Sequence, residues 1–243
     1  MRIIKLNAID STNVFMRQLS TAEKLKDYTI VATKLQTEGK GQMGTVWQSQ
    51  KGKNLMFSVF KDVSFLHSDY AFFISIVSAL SVVTALKRFN IPKLKVKWPN
   101  DILSEEKKVC GILIENVLSN NQIKESIIGI GLNVNQTEFQ DLPQASSLLL
   151  ISGKVYNLDE LLDSIISQMK HYLSLLKNEK YSELLLEYET LLFRKEKPST
   201  FKDTNENLFA GIIQGITLSG SLKILLEDDI LKTFDLKEVS LLY

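Results

Sequence analysis

The sequence predicts an α+β fold, in which a mixed sheet packed with helices is followed by a small β-barrel. Three observations carry this. Strand-like and helix-like runs follow one another without regular βαβ alternation. Residues 70–89 form one long apolar stretch, and two later stretches repeat apolar residues at helical spacing. Beyond Glu196 only short strand signals remain, and about 45 residues of strand suit a small barrel packed on a larger domain. The pattern changes within Lys195-Glu196-Lys197-Pro198-Ser199, so residues 1–196 are read as the main domain and residues 197–243 as the barrel.

In order along the chain, Ile3–Leu6 reads as a strand. Asp10-Ser11-Thr12-Asn13 offers helix N-caps, ahead of Val14, Phe15 and Leu19 on one helix face. Thr29–Thr33 is a β-branched run and the next strand. Gln36–Lys53 is polar and glycine-rich, and a loop of that length in a compact domain marks function or disorder. Asn54–Phe60 returns to a strand pattern, and Tyr70–Phe89 should lie as a helix across the inner face of the sheet. Leu94–Trp98 alternates as a short strand that Pro99 stops, and Asn100 and Asp101 are expected to turn the chain. Val109–Glu115 and Ser126–Val134 read as a hairpin around Ser119-Asn120-Asn121-Gln122. Leu158–Leu176 and Lys180–Phe193 read as helices, and Gly211–Thr217, Leu222–Leu226 and Leu231–Phe234 as barrel strands.

With 243 residues, 44% apolar and 23% charged, the chain can bury a full core. The 29 basic and 28 acidic residues are intermixed, so the electrostatic footprint of a nucleic-acid binder is absent. A single cysteine, Cys110, excludes an intramolecular disulfide and a cysteine-based zinc site, and its apolar setting reads as a core thiol. His67 and His171 lie far apart and read as surface residues, which argues against a histidine metal cluster. The N-terminus carries no apolar signal core. The uncharged run 70–86 is shorter than the roughly 20 residues of a membrane span and is broken by serines and Thr84. A core helix and a cytoplasmic protein without membrane attachment are therefore expected.

Lys97-Trp98-Pro99-Asn100-Asp101 sets a lysine, an amide and a carboxylate where a strand ends. Lys97 could face a phosphate or carboxylate there, or simply snorkel to solvent. Gly39-Lys40-Gly41-Gln42-Met43-Gly44 has G-x-G-x-x-G spacing after a strand, but the following residues do not read as the helix a dinucleotide fingerprint needs. It stands either as a loop whose N–H groups approach an anion or as a plain surface loop. Gly129 and Gly131 are either packing glycines or places where a ligand nears the backbone. Neither a P-loop nor a G-x-S-x-G elbow is present. Nothing looks built for covalent catalysis, so the parts suit a reaction in which the substrate is the nucleophile and the protein neutralises charge.

Taken together and in this order, Ser11-Thr12-Asn13, Gln36 before the glycine loop, Lys97–Asp101, Gly111-Ile112-Leu113-Ile114-Glu115 and Gly129–Asn133 resemble the biotin–protein ligases. Ala145-Ser146-Ser147-Leu148 with Gly153-Lys154, and the tail from Gly211 to Leu241, extend the likeness. The resemblance implies a class II synthetase-like catalytic domain with a C-terminal SH3-like barrel. It implies a two-step reaction: biotin and Mg-ATP give biotinyl-5′-adenylate and pyrophosphate, and a lysine of a biotin carboxyl carrier domain then attacks the adenylate. Biotin and ATP are thus expected as substrates with Mg²⁺, the carrier domain of a biotin-dependent carboxylase is the expected partner, and no side chain is assigned as a metal ligand.

Site roles also follow from the resemblance. Lys97 would be the electrostatic centre of catalysis and touch biotin. Ser11, Thr12, Asn13 and Gln36 would surround the ureido ring, and Lys40, Gly41 and Gln42 would close over biotin and adenylate, with Gly39 on the nucleotide side. Trp47 and Asn133 fall on the nucleotide side, with Asn100, Asp101 and Gly111 supporting from behind. Two departures matter. The family's glycine loop is often arginine-rich, whereas Lys40 here is followed by Gln42, Met43 and Thr45, and glutamine lacks the fixed charge of a guanidinium. A Gln42→Arg protein is accordingly expected to release the adenylate more slowly in a chase experiment, and an unchanged rate would contradict that account. Only about ten residues precede Ser11, leaving no space for the helix-turn-helix domain some relatives carry, so DNA binding is not expected. A homodimer is left open. A lipoate–protein ligase of the same fold is disfavoured by Ser11–Asn13 and Lys97–Asp101, and a non-catalytic biotin-binding module by the intact Lys97.

Overall fold

The structure, a computed structural model, describes residues 1–119, 122–140 and 142–243. Strands β1 (Arg2–Leu6), β2 (Thr29–Thr33), β3 (Leu55–Asp62), β4 (Lys95–Lys97), β5 (Asp101–Ser104), β6 (Lys107–Ser119) and β7 (Gln122–Leu132) build the main sheet. Its order among the described residues is β1-β2-β3-β7-β6-β5-β4, with β1 parallel to β2 and the other pairs antiparallel. The sheet is therefore mixed, as expected. The β6–β7 hairpin is present, with Ser119 opposite Gln122; Asn120 and Asn121, expected at its tip, lie outside the described residues.

Side-chain alternation divides this sheet into two different faces. Ile30, Phe57, Val59, Cys110, Ile112, Ile128 and Ile130 point into the large core. That core is shared with α2 (Phe73–Arg88), α3 (Leu158–Lys177) and α4 (Tyr181–Leu191). The apolar run around residues 70–89 is thus a buried core helix, as its serines suggested: Ser78 and Ser81 turn their hydroxyls back to the carbonyls of Ile74 and Val77. The opposite face meets α1 (Thr12–Ala22) over a small cluster of Met16, Leu25, Val31, Phe60 and Ile127. Met16, rather than Val14, anchors α1, with Phe15 and Leu19 flanking it. One helix cannot cover seven strands, so part of this face is left for the glycine loop.

The C-terminal strands are β8 (Pro198–Asp203), β9 (Leu208–Ile216), β10 (Leu222–Leu225), β11 (Leu231–Phe234) and β12 (Val239–Leu242). Two of them, β8 and β12, were not expected: β8 starts at Pro198 inside the stretch read as a linker, and β12 alternates half-buried with exposed residues. Among the described residues the order is β11-β10-β9-β8-β12, an open sheet rather than a closed barrel. The turn after β4 also differs from expectation. Asp101 does not sit in the turn but opens β5 and pairs with Lys97, so Trp98, Pro99 and Asn100 alone reverse the chain, with a cis Trp98–Pro99 bond. Trp98 donates its indole N–H to the carbonyl of Gly220 (2.8 Å), tying this turn to the C-terminal sheet.

Candidate active site

One row of paired residues crosses the face opposite the large core: Thr33, Met56, Gly131, Gly111, Asp101 and Lys97. Directly paired residues point to the same side of an antiparallel sheet, so two glycines make a floor between Met56 and a carboxylate–lysine edge. Trp47 lies on that floor. A methyl group at Gly131 would come within 2.5 Å of the indole Cε2, and one at Gly111 within 3.1 Å of Cζ3. The glycine loop that carries Trp47 is an ordered small hairpin. Trp47 N–H donates to the Gly39 carbonyl (2.8 Å) and Gly41 N–H to the Thr45 carbonyl (2.7 Å). Lys40 bridges to Val46, and Gly44 at φ +80 makes the turn. The indole N–H of Trp47 is buried without a partner.

Beside the floor, the start of α1 forms a polar pocket. Residues 9–10 and 36–38 are laced by N–H bonds from Thr37 to Ile9 (2.9 Å) and from Glu38 to Asp10 (3.0 Å), which brings Gln36 to the helix start. Gln36 Oε1 accepts from Thr12 N–H (2.8 Å) and Thr12 Oγ1 (3.1 Å). Ser11 is buried at the N-cap but makes no capping bond with its hydroxyl, leaving it for another partner. Asn13 is fixed at both ends: Nδ2 donates to Glu115 Oε2 (2.8 Å), and Oδ1 lies 2.6 Å from the hydroxyl of buried Ser58. Glu115 is held in turn by Arg17 (2.8 Å). Gly129 settles one of the open questions, because a side chain there would run into the Asn13 amide. Ser58, Glu115 and Arg17 carried no assigned role in the sequence. The register that puts Ser58 opposite Gly129 and Gly129 opposite Leu113 is long-range information.

At the other end of the floor the structure adds Lys108. Its Nζ pairs with Asp101 Oδ1 at 2.7 Å and stands 5.9 Å from the centre of a Trp47 ring. By simple alternation Lys108 and Gly111 fall on opposite faces, and this hid Lys108 in the sequence. The register slips between Ile102 and Leu103: Ile102 faces Cys110 but Leu103 faces Lys108, so Val109 is an extra residue. This bulge turns Lys108 over to the face of Asp101. Lys97 Nζ is 4.7 Å over the Tyr243 ring. Burial pushes the Lys97 ammonium below the usual lysine range; Asp101 opposes this, and the like charge of Lys108 adds to it.

The sign has consequences. A lysine whose pKa is lower folded than unfolded weakens the fold at neutral pH, and the loss is relieved as pH rises through the folded pKa toward the unfolded one. Lys97→Met is therefore expected to raise the melting temperature at pH 7 while lowering activity. The parent should lose activity on the alkaline side below the usual lysine range. A thermal melt with a pH–rate profile checks both.

The remaining expected residues occupy supporting places. Asn100 Nδ2 donates to the Ile112 carbonyl (2.9 Å) and its own carbonyl accepts from Ile112 N–H (3.0 Å), pinning the β4–β5 turn to β6. Asn133 is buried just past β7, its backbone bonded to Val109 and Leu148. Lys40 is exposed and Gln42 half-buried in the hairpin. His67 and His171 are exposed and Cys110 is buried, its thiol pKa raised by burial. Among the described residues, no three His, Cys, Asp or Glu side chains cluster as a metal site.

A glycine floor thus runs between a polar pocket at the helix start and a lysine–aspartate–lysine edge. The sequence model of the biotin/lipoate A/B protein ligase family matches residues 6–133 of this 243-residue chain, and the chain belongs to that family. The bifunctional ligase/repressor BirA of Escherichia coli is 28% identical over 238 residues, 97% of this chain and 73% of that protein. The biotin–[acetyl-CoA-carboxylase] ligase of Mycobacterium tuberculosis is 28% identical over 142 residues, 57% of this chain and 52% of that protein. The biotin protein ligase of Aquifex aeolicus, solved with biotin and ATP, superposes with a TM-score of 0.83 at 29% identity, covering 99% of this chain and 98% of that one.

Proposed function

We infer that this chain is an ATP-dependent biotin–protein ligase, and the observation that carries it is the Lys97–Asp101–Lys108 edge beside the glycine floor. A biotin carboxylate oxygen attacks the α-phosphorus of ATP, and the bond to the β-phosphate oxygen breaks as pyrophosphate leaves. Both reactants are anionic, and two lysines at the end of the glycine floor offset their repulsion and the charge that grows in the transition state. The amine of an acceptor lysine then attacks the acyl carbon of biotinyl-5′-adenylate, releasing AMP. No protein nucleophile is needed. The hairpin of Gly39, Lys40, Gly41 and Gln42, carrying Trp47, shields the mixed anhydride from water.

Ser11, Thr12, Asn13 and Gln36 are assigned to the ureido ring, whose N–H and C=O groups match this pocket. A lipoyl dithiolane has no N–H or C=O to meet the buried Ser11 hydroxyl, which makes no capping bond, and this favours biotin over lipoate. Asn133 and Trp47 are assigned to the nucleotide side. Asp101 is already paired with Lys108 at 2.7 Å, so Mg²⁺ would enter with ATP, held by its phosphates and by water. The acceptor is taken to be a biotin carboxyl carrier domain, in keeping with the Mycobacterium tuberculosis and Paracoccus denitrificans relatives named as acetyl-CoA-carboxylase ligases. We read residues 1–196 as the catalytic domain and 197–243 as an SH3-like unit, a reading supported by the stacked Phe201, Phe209 and Phe234 rings and the bulge at Gln214 in β9. Incubating the protein with Mg-ATP, biotin and a carrier domain, with lipoate as competitor, tests the reading. A biotinyl mass gain on the acceptor lysine, untouched by lipoate, is expected; a lipoyl adduct or none would overturn it.

A further inference from the structure

The C-terminal sheet packs beside Lys97, with Ile213, Leu222, Val239 and Leu241 lining the space next to it. Tyr243, just past β12, stands with its ring 4.7 Å from Lys97 Nζ. It is held on two sides: its main-chain oxygen accepts from Gln144 Nε2 (3.1 Å), and its ring meets Phe193 edge-on at 5.1 Å. Phe193 is itself bonded to β4, through its N–H to the carbonyl of Val96, the residue before Lys97 (2.8 Å). Among the described residues no hydrogen bond or ion pair holds Lys97 Nζ. The charged or titratable groups facing it are Asp101 from β5, Lys108 from β6 and Tyr243.

We propose that Tyr243 is a positioning residue for adenylation: its aromatic face holds the Lys97 ammonium protonated and aimed along the site. A cation over a ring is stabilised as the cation, so the ring opposes the deprotonating effect of burial and of Lys108. The C-terminal sheet is thereby part of the catalytic centre and not only a neighbour. This rests on the ligase reading for its reaction but not for its geometry, and the test separates the two.

Full-length parent, Tyr243→Phe and Tyr243→Leu proteins are compared by NMR of isotope-labelled lysine, with the Lys97 signal identified by Lys97→Arg, and by pH profiles of biotin-dependent pyrophosphate release. The parent and Tyr243→Phe proteins should show an upfield ring shift at the Lys97 ε-carbon protons that Tyr243→Leu loses. Tyr243→Leu should move the Lys97 titration and the alkaline limb of activity down together, by about 0.5–1 pH unit, with Phe restoring both. An unshifted Lys97 signal in the parent, a Leu variant with the parent's alkaline limb, or a Phe variant as impaired as Leu would overturn the proposal. A parent with the ring shift but no biotin-dependent release would leave the contact standing, overturn its role in adenylation and fail the ligase reading itself.

Discussion

A folded Lys108→Ala protein is expected to form biotinyl-5′-adenylate at least about a hundredfold more slowly than the parent, while binding biotin within a few-fold of it. Removing one donor aimed at developing charge typically costs about 2.7–4 kcal/mol of barrier, which is a factor of about 100 or more. Lys108 is placed for this by the bulge at Val109 and held by Asp101 at 2.7 Å, at the end of the glycine floor away from the polar pocket. Its effect should fall on the chemical step, since the pocket at α1 is untouched. Single-turnover pyrophosphate release gives the rate, and biotin titration gives the affinity. Lys107→Ala is the control: Lys107 is exposed and bonded to the Pro143 carbonyl, so its rate should stay within about twofold. A Lys108→Ala rate close to the parent's would place the charge neutralisation elsewhere.

The second large effect is expected at Gly129. A valine there has no room, because the Asn13 amide occupies the space its side chain would take. Asn13 cannot yield freely, being bonded to Ser58 and Glu115, and Glu115 to Arg17. Gly129→Val should therefore destabilise the protein by about 1–3 kcal/mol through overpacking. It should also weaken biotin binding at least about tenfold, as displaced polar groups lose partners. Urea denaturation and calorimetric titration measure the two. Biotin affinity equal to the parent's would detach the Asn13 network from the biotin pocket.

Much of this was legible in the sequence because it is local. The β-branched run at Thr29, the hairpin about residue 120 and the apolar helix before Phe89 declare themselves through period and propensity, and the structure has strands and a helix there. The resemblance to the biotin–protein ligases grouped Ser11, Thr12, Asn13 and Gln36, and the laced segments 9–10 and 36–38 bring them together in space. What stayed hidden depends on register. Lys108 was lost to a single bulge that reverses its face, Ser58 to a pairing with Gly129 across 71 positions in the chain, and Asp101 to a turn one residue shorter than expected. Strand β12, with its half-buried, exposed alternation, gave no hint that it delivers Tyr243 to Lys97.

The central chemistry of this site is the attack of biotin on ATP. The direct measurement is pyrophosphate release from Mg-ATP with biotin, with lipoate and with neither, using the parent and Lys97→Ala. Release that requires biotin, ignores lipoate and falls at least about a hundredfold in folded Lys97→Ala is the predicted result. Release with lipoate, or none with biotin from protein shown to be folded, would contradict it.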